Sequence, residues 1–139
     1  MANDQTVNIP RILIIENEFL IGEMLKDMVQ ELGYTVTGTV HRVPTALAEL
    51  IKANFDAALV NIGVDQQKHG IELADLLKAN DKPFAFVTGY PHSPADRHED
   101  ALLLEKPFDL DQLRELLEKL VGPAGSPKGA FHAGVNAVG

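Results

Sequence analysis

The chain has 139 residues, 45% hydrophobic and 23% charged, which predicts one globular domain with a proper core and no second effector domain. Its formal charge of -8, from 20 acidic and 12 basic residues, repels phosphate backbones and anionic headgroups and argues against nucleic acid and membrane surfaces as partners. The absence of cysteine excludes disulfide frameworks, thiolate zinc sites and thiol catalysis together, in keeping with a reducing cytoplasm.

Residues 1–10 read as an N-terminal extension without the basic start and apolar stretch of a secretory signal. No run approaches the ~18–20 apolar residues of a membrane span, so a cytoplasmic location is expected. Arg11 to Ile15 is a short β-branched run suited to a strand buried on both faces. From Glu18 to Leu32 the apolar residues recur at spacings of three and four, with Asn17 as N-cap and Gly33 where a left-handed C-cap is wanted.

Tyr34 to Val40 reads as strand two. Pro44 fits the first turn of a helix that carries Ala46, Leu47, Leu50 and Ile51 on one face and ends near Asn54. Ala57 to Val60 is a third strand running into Asn61 and a polar loop through Gly70, after which Leu73, Leu76 and Leu77 mark a third helix. Pro83 to Thr88 is strand four. The segment from Gly89 to Asp100 holds two prolines and two histidines, so any helix there is short, and mobility is expected. Ala101 to Leu104 is strand five, and Asp109 with Gln112 forms a capping-box pattern before a leucine-rich helix ending near Val121. Residues 122–139, rich in Gly, Ala and Pro, read as a flexible tail behind a folded domain over 11–121.

Strands alternating with helices predict an α/β doubly wound sheet of parallel strands with helices on both faces. In such folds chemistry collects beyond the carboxyl ends of the strands. That rule selects Glu16 and Asn17, Asn61, Thr88 and Lys106.

These residues lie in four strings: Ile12-Leu13-Ile14-Ile15-Glu16-Asn17, Ala57-Ala58-Leu59-Val60-Asn61, Phe86-Val87-Thr88-Gly89 and Leu103-Leu104-Glu105-Lys106-Pro107-Phe108. In that order at strand ends they resemble the receiver domains of bacterial response regulators, from Arg11 to Val121. Pro83 to Tyr90 further resembles the subfamily nicknamed FATGUY, with Val87 where that motif has alanine; its members are often stand-alone receivers. The resemblance implies a flavodoxin/CheY-like three-layer sandwich with five parallel strands in the order 2-1-3-4-5, and a role in two-component phosphorelay signalling.

In that family two acidic residues after strand one and an aspartate after strand three hold magnesium, and the aspartate accepts phosphoryl groups from a histidine kinase. Thr88 and Lys106 match its hydroxyl and ammonium donors to the phosphate. Here the acidic pair is Glu16 and Asn17, and the phosphoacceptor position holds Asn61. A neutral amide is a poor nucleophile and forms no acyl phosphate, so phosphotransfer at position 61 is expected to fail. Three carboxylates and a lysine would sum to about -2 against magnesium, whereas Glu16 and Lys106 sum to about zero, so the metal site is vestigial and no cofactor is expected. Lys106 is then free to pair with Glu16 or to donate to the Asn61 carbonyl. The Lys106-Pro107-Phe108 run suggests a cis peptide.

Relatives switch through an aromatic three residues before the lysine. Leu103 occupies that position here, which leaves Tyr90, nearest in sequence to Thr88, as the other switch candidate. The implied activity is non-enzymatic. Implied partners are a histidine kinase, a response regulator or another signalling protein, with a homodimer through the face of the fourth helix, fifth strand and fifth helix as a further option.

An alternative keeps phosphoryl transfer, after deamidation of Asn61, on a nearby acid such as Asp65, or with Asn61 as an introduced change. The parallel amide at position 17 argues against an introduced change, because blocking transfer requires only one. His92 and His98 fall short of a zinc pattern, His69 reads as a solvated loop residue, and Phe131 reads as a tail residue without a role. An enzyme or cofactor binder on the same fold is disfavoured, since no glycine-rich phosphate loop follows strand one.

Overall fold

Three of the strands carry almost unbroken buried apolar runs, and they form the centre of a five-stranded parallel sheet. A computed structural model describes residues 9–62, 70–89, 98 and 100–124. The elements in chain order are β1 (Arg11–Ile15), α1 (Phe19–Glu31), β2 (Thr35–Val40), α2 (Val43–Lys52), β3 (Ala57–Asn61), α3 (Gly70–Ala79), β4 (Phe84–Thr88), β5 (Leu102–Glu105) and α4 (Leu110–Val121). The order across the sheet is β2-β1-β3-β4-β5, as the sequence implied, and every pairing is parallel. The helix read as the fifth is α4 here, because the segment read as holding a fourth falls largely outside the described residues.

Alternation along the strands builds two cores. Ile12, Ile14, Leu59 and Val87 face α1 and α4, where Leu25, Val29, Leu113 and Leu117 close one layer. Leu13, Ile15, Val60 and Phe86 face the other way, beneath Ala46 of α2 and Leu73 and Leu77 of α3. β2 is an edge strand, and its register against β1 shifts between Ile12 and Leu13, leaving Thr37 as an extra residue. Such a bulge protects an edge against further strand addition.

The local signals map onto real caps with one exception. Asp109 and Gln112 form the reciprocal capping box of α4, and Gly33 has φ 98 beyond the end of α1. Asn17, expected to cap α1, does not: Glu18 is the N-cap residue and makes no side-chain cap bond. The Asn17 side chain is turned to Asn61 instead.

α2 also differs from expectation. Ala46 is its only fully buried residue, whereas Leu47 is 37% and Ile51 84% exposed. At 100° per residue, Val43, Ala46 and Leu50 share the core face, and Leu47 and Ile51 are rotated away from it.

At the lower edge of the sheet Arg11 donates through its Nε and Nη2 to the Asp56 carboxylate and through Nη1 to the Asn54 side chain. This contact holds the Asp56 carboxyl below its ordinary range. Gly122 and Ala124, at the start of the segment read as a tail, contact the folded domain. The Tyr34 hydroxyl donates to the Gly122 carbonyl at 2.8 Å, and Ala124 packs against the α1/α4 core. The rest of the tail, with Phe131, lies outside the described residues. No helix among the described residues is long and apolar enough to cross a membrane.

Candidate functional site

Parallel strands end on the same side of a sheet, so the loops after β1, β3 and β5 bring together residues far apart in sequence. Glu16 follows β1 and is 1% exposed. Both of its carboxylate oxygens are engaged: Oε1 accepts from Lys106 Nζ at 3.0 Å, and Oε2 accepts from Asn61 Nδ2 at 3.1 Å and from the Glu18 N–H at 3.1 Å. Asn61 Nδ2 also donates to Asn17 Oδ1 at 2.8 Å. Four of the five residues selected from the sequence thus form one connected cluster. Of the two partners open to Lys106, its ion pair is with Glu16.

Thr88, the fifth, ends β4 fully buried, and its carbonyl accepts from the Lys106 N–H at 2.7 Å. The Lys106–Pro107 peptide is cis, as the sequence suggested. Leu103 is half-buried and packs against the α2/α3 core, while Tyr90 lies outside the described residues. Asp65, His69 and His92 also lie outside them.

Two supporting residues carried no signal in the sequence. His41, just past β2, has its Nδ1 2.7 Å from the Glu16 carbonyl, which requires that this nitrogen carry the proton. With the Glu16 N–H donating to the Val40 carbonyl, every polar group of Glu16 is engaged. Gly70 opens α3, where an added Cβ would collide with the backbone carbonyls of Asn61 and Ile62. Only glycine lets the helix press so closely on the end of β3. A loop glycine and a histidine after a strand are common enough that only the fold reveals these roles.

His98 is buried edge-on against Phe84 and Phe86, with Nε2 2.6 Å from Asp75 Oδ1. No group of three or more His, Asp or Glu residues able to hold a metal occurs among the described residues.

A parallel 2-1-3-4-5 sheet with an acidic residue, two amides and a lysine gathered at its carboxyl edge has the architecture of a signalling receiver domain. Comparison with solved structures establishes the family. The REC domain of the PhyR response regulator from Erythrobacter litoralis superposes with a TM-score of 0.73 at 31% identity, over 86% of this chain and 95% of that one. SdrG from Sphingomonas melonis Fr1 does so with a TM-score of 0.70 at 36% identity, over 78% and 93%. The chain therefore belongs to the receiver domains of response regulators, the CheY-like family of two-component signalling. It also matches about half of a longer protein, the anti-anti-sigma factor PhyR from Bartonella quintana, with a TM-score of 0.72 at 27% identity over 84% of this chain and 48% of that one. No family model and no curated protein matches the sequence.

Proposed function

We propose that this receiver works without aspartyl phosphorylation, as a non-enzymatic cytoplasmic module of the FATGUY type that acts through protein contacts. Asn61 occupies the phosphoacceptor position, and Glu16 and Asn17 occupy the acidic pair. The observation that carries the reading is the Glu16–Lys106 ion pair, bridged to Asn61 by its amide. The Lys106–Glu16 pair ties the ends of β1 and β5 together with no net charge.

The donor set does not fit magnesium. A hard dication takes anionic oxygens, and the single carboxylate already faces an ammonium, an amide N–H and a backbone N–H. Retained phosphorylation after deamidation of Asn61 gains no support from the site. The amide nitrogen is held by two acceptors, and the next residue is the bulky, β-branched Ile62.

The partner is a histidine kinase, a response regulator or another signalling protein. A groove of about 520 Å³ along β5 and α4, lined by Leu103, Leu104 and Leu116 with Glu115 and Lys119 at its rim, is the surface it would use, or the surface of a homodimer. The PhyR relative described as an anti-anti-sigma factor makes a regulator of transcription-factor availability one such partner.

Intact mass after incubation with acetyl phosphate and magnesium tests the reading. The unaltered protein is expected to gain no phosphoryl mass, and the Asn17→Asp, Asn61→Asp double variant is expected to gain one. A stable adduct on the unaltered protein would overturn it.

A further inference from the structure

Besides the β5/α4 groove, two apolar surfaces among the described residues are exposed, and their charges differ. On α1, Leu20 is 79% and Met24 43% exposed. With Asp27 and Glu31 they form one line at spacings of four, three and four, so this face is apolar at its amino end and acidic at its carboxyl end. Neither Asp27 nor Glu31 has an ion-pair partner among the described residues.

The second surface is a groove of about 510 Å³ between α2 and α3. Leu47, Ile51 and Leu76 line its walls and are 37%, 84% and 43% exposed. Asn80 and Lys82 line its lower end. Lys82 donates to the Phe55 carbonyl, lies over the Phe55 ring and acts on the nearby Asp56 carboxylate, while two of the three N–H positions of its ammonium make no hydrogen bond among the described residues.

We propose that the chain self-associates head to tail, with α1 of one copy lying in the α2/α3 groove of the next. Leu20 and Met24 then sit against Leu47, Ile51 and Leu76, while Asp27 and Glu31 reach Asn80 and Lys82. Charge selects this pairing. A parallel α1-to-α1 contact sets acidic residues against acidic residues, an antiparallel one leaves Asp27 and Glu31 without a cation, and a groove-to-groove contact leaves Lys82 without an acid, whereas α1 in the groove sets the two acids against Lys82. Because the two surfaces differ and do not overlap, each copy can contact two others, and the assembly grows past two copies as a ring or a filament.

Sedimentation of the full chain over a concentration series tests this. The weight-average mass of the unaltered protein is expected to rise with concentration past that of two copies. Leu20→Glu and Ile51→Glu should each stay monomeric, since each loses one surface. Mixed in equal amounts, they should form a one-to-one complex and nothing larger, because only one intact α1 and one intact groove remain to meet. Both positions are exposed, so unchanged melting temperatures are expected; Met24→Glu and Leu47→Glu replace them should either fail to fold. A monomer throughout, a single variant that still associates like the parent, or a mixture that stays monomeric would each overturn the proposal.

Discussion

Asn61→Asp places a carboxylate at the position that the proposed function assigns to the phosphoacceptor, and in this pocket it is expected to destabilise the fold. The Asn61 amide donates to Glu16 Oε2 at 3.1 Å and to Asn17 Oδ1 at 2.8 Å. Aspartate replaces both donations with an acceptor. Losing a hydrogen bond to a charged group removes about 1.5–3 kcal/mol, and losing one to a neutral group about 0.5–1.5 kcal/mol. Two carboxylates roughly 3 Å apart repel by about 5 kcal/mol at an effective dielectric constant near 20, before rotation of the new side chain and the Lys106 ammonium relieve most of it. A net loss of about 2–4 kcal/mol follows, which for a domain of this size lowers the melting temperature by roughly 10 °C.

Thermal denaturation followed by circular dichroism in metal-free buffer measures that drop. Adding millimolar magnesium should recover little of it in Asn61→Asp, because position 17 is still an amide, and much more of it in the double variant with Asn17→Asp. The single variant should likewise accept little phosphoryl group from acetyl phosphate. A melting temperature for Asn61→Asp within about 2 °C of the parent in metal-free buffer would refute the reasoning, since the amide contacts would then not hold the pocket.

Burial, with the nearby Glu118 charge adding to it, pushes the Tyr34 hydroxyl up to about 12. The neutral phenol is the form the fold favours, so its contribution is complete below the unfolded value near 10 and is lost as the pH rises toward 12. The difference in ultraviolet absorbance between the parent and Tyr34→Phe should show this phenolate forming near pH 12; ionisation near pH 10 would contradict the burial argument. Gly70→Ala should lose about 1–3 kcal/mol through overpacking and shift the amide resonances around Asn61. Gly89→Ala, where an added Cβ meets nothing within 4 Å, serves as its control, and equal effects from the two would remove the case for close approach at Gly70.

Short-range information settled much of this protein before any coordinates. Buried strands show as β-branched runs at Ile12 to Ile15 and Ala57 to Val60, and the Asp109/Gln112 box marks a helix start, because strand burial and capping depend on neighbours a few residues away. The strand ends therefore named Glu16, Asn17, Asn61, Thr88 and Lys106 in advance. Where one residue had several local options, the sequence left the choice open. Asn17 is a good helix cap in isolation, but Asn61, 44 positions away, offers its amide and takes the side chain. Lys106 meets Glu16 across 90 residues, and Tyr34 reaches Gly122 across 88. The exposure of Leu47 and Ile51 and the burial of His98 were likewise decided by which surfaces the sheet and helices cover. Local pattern determined the elements and the roster of the site; tertiary packing determined the partners, since a hydrogen bond forms with whichever group the fold brings within about 3 Å.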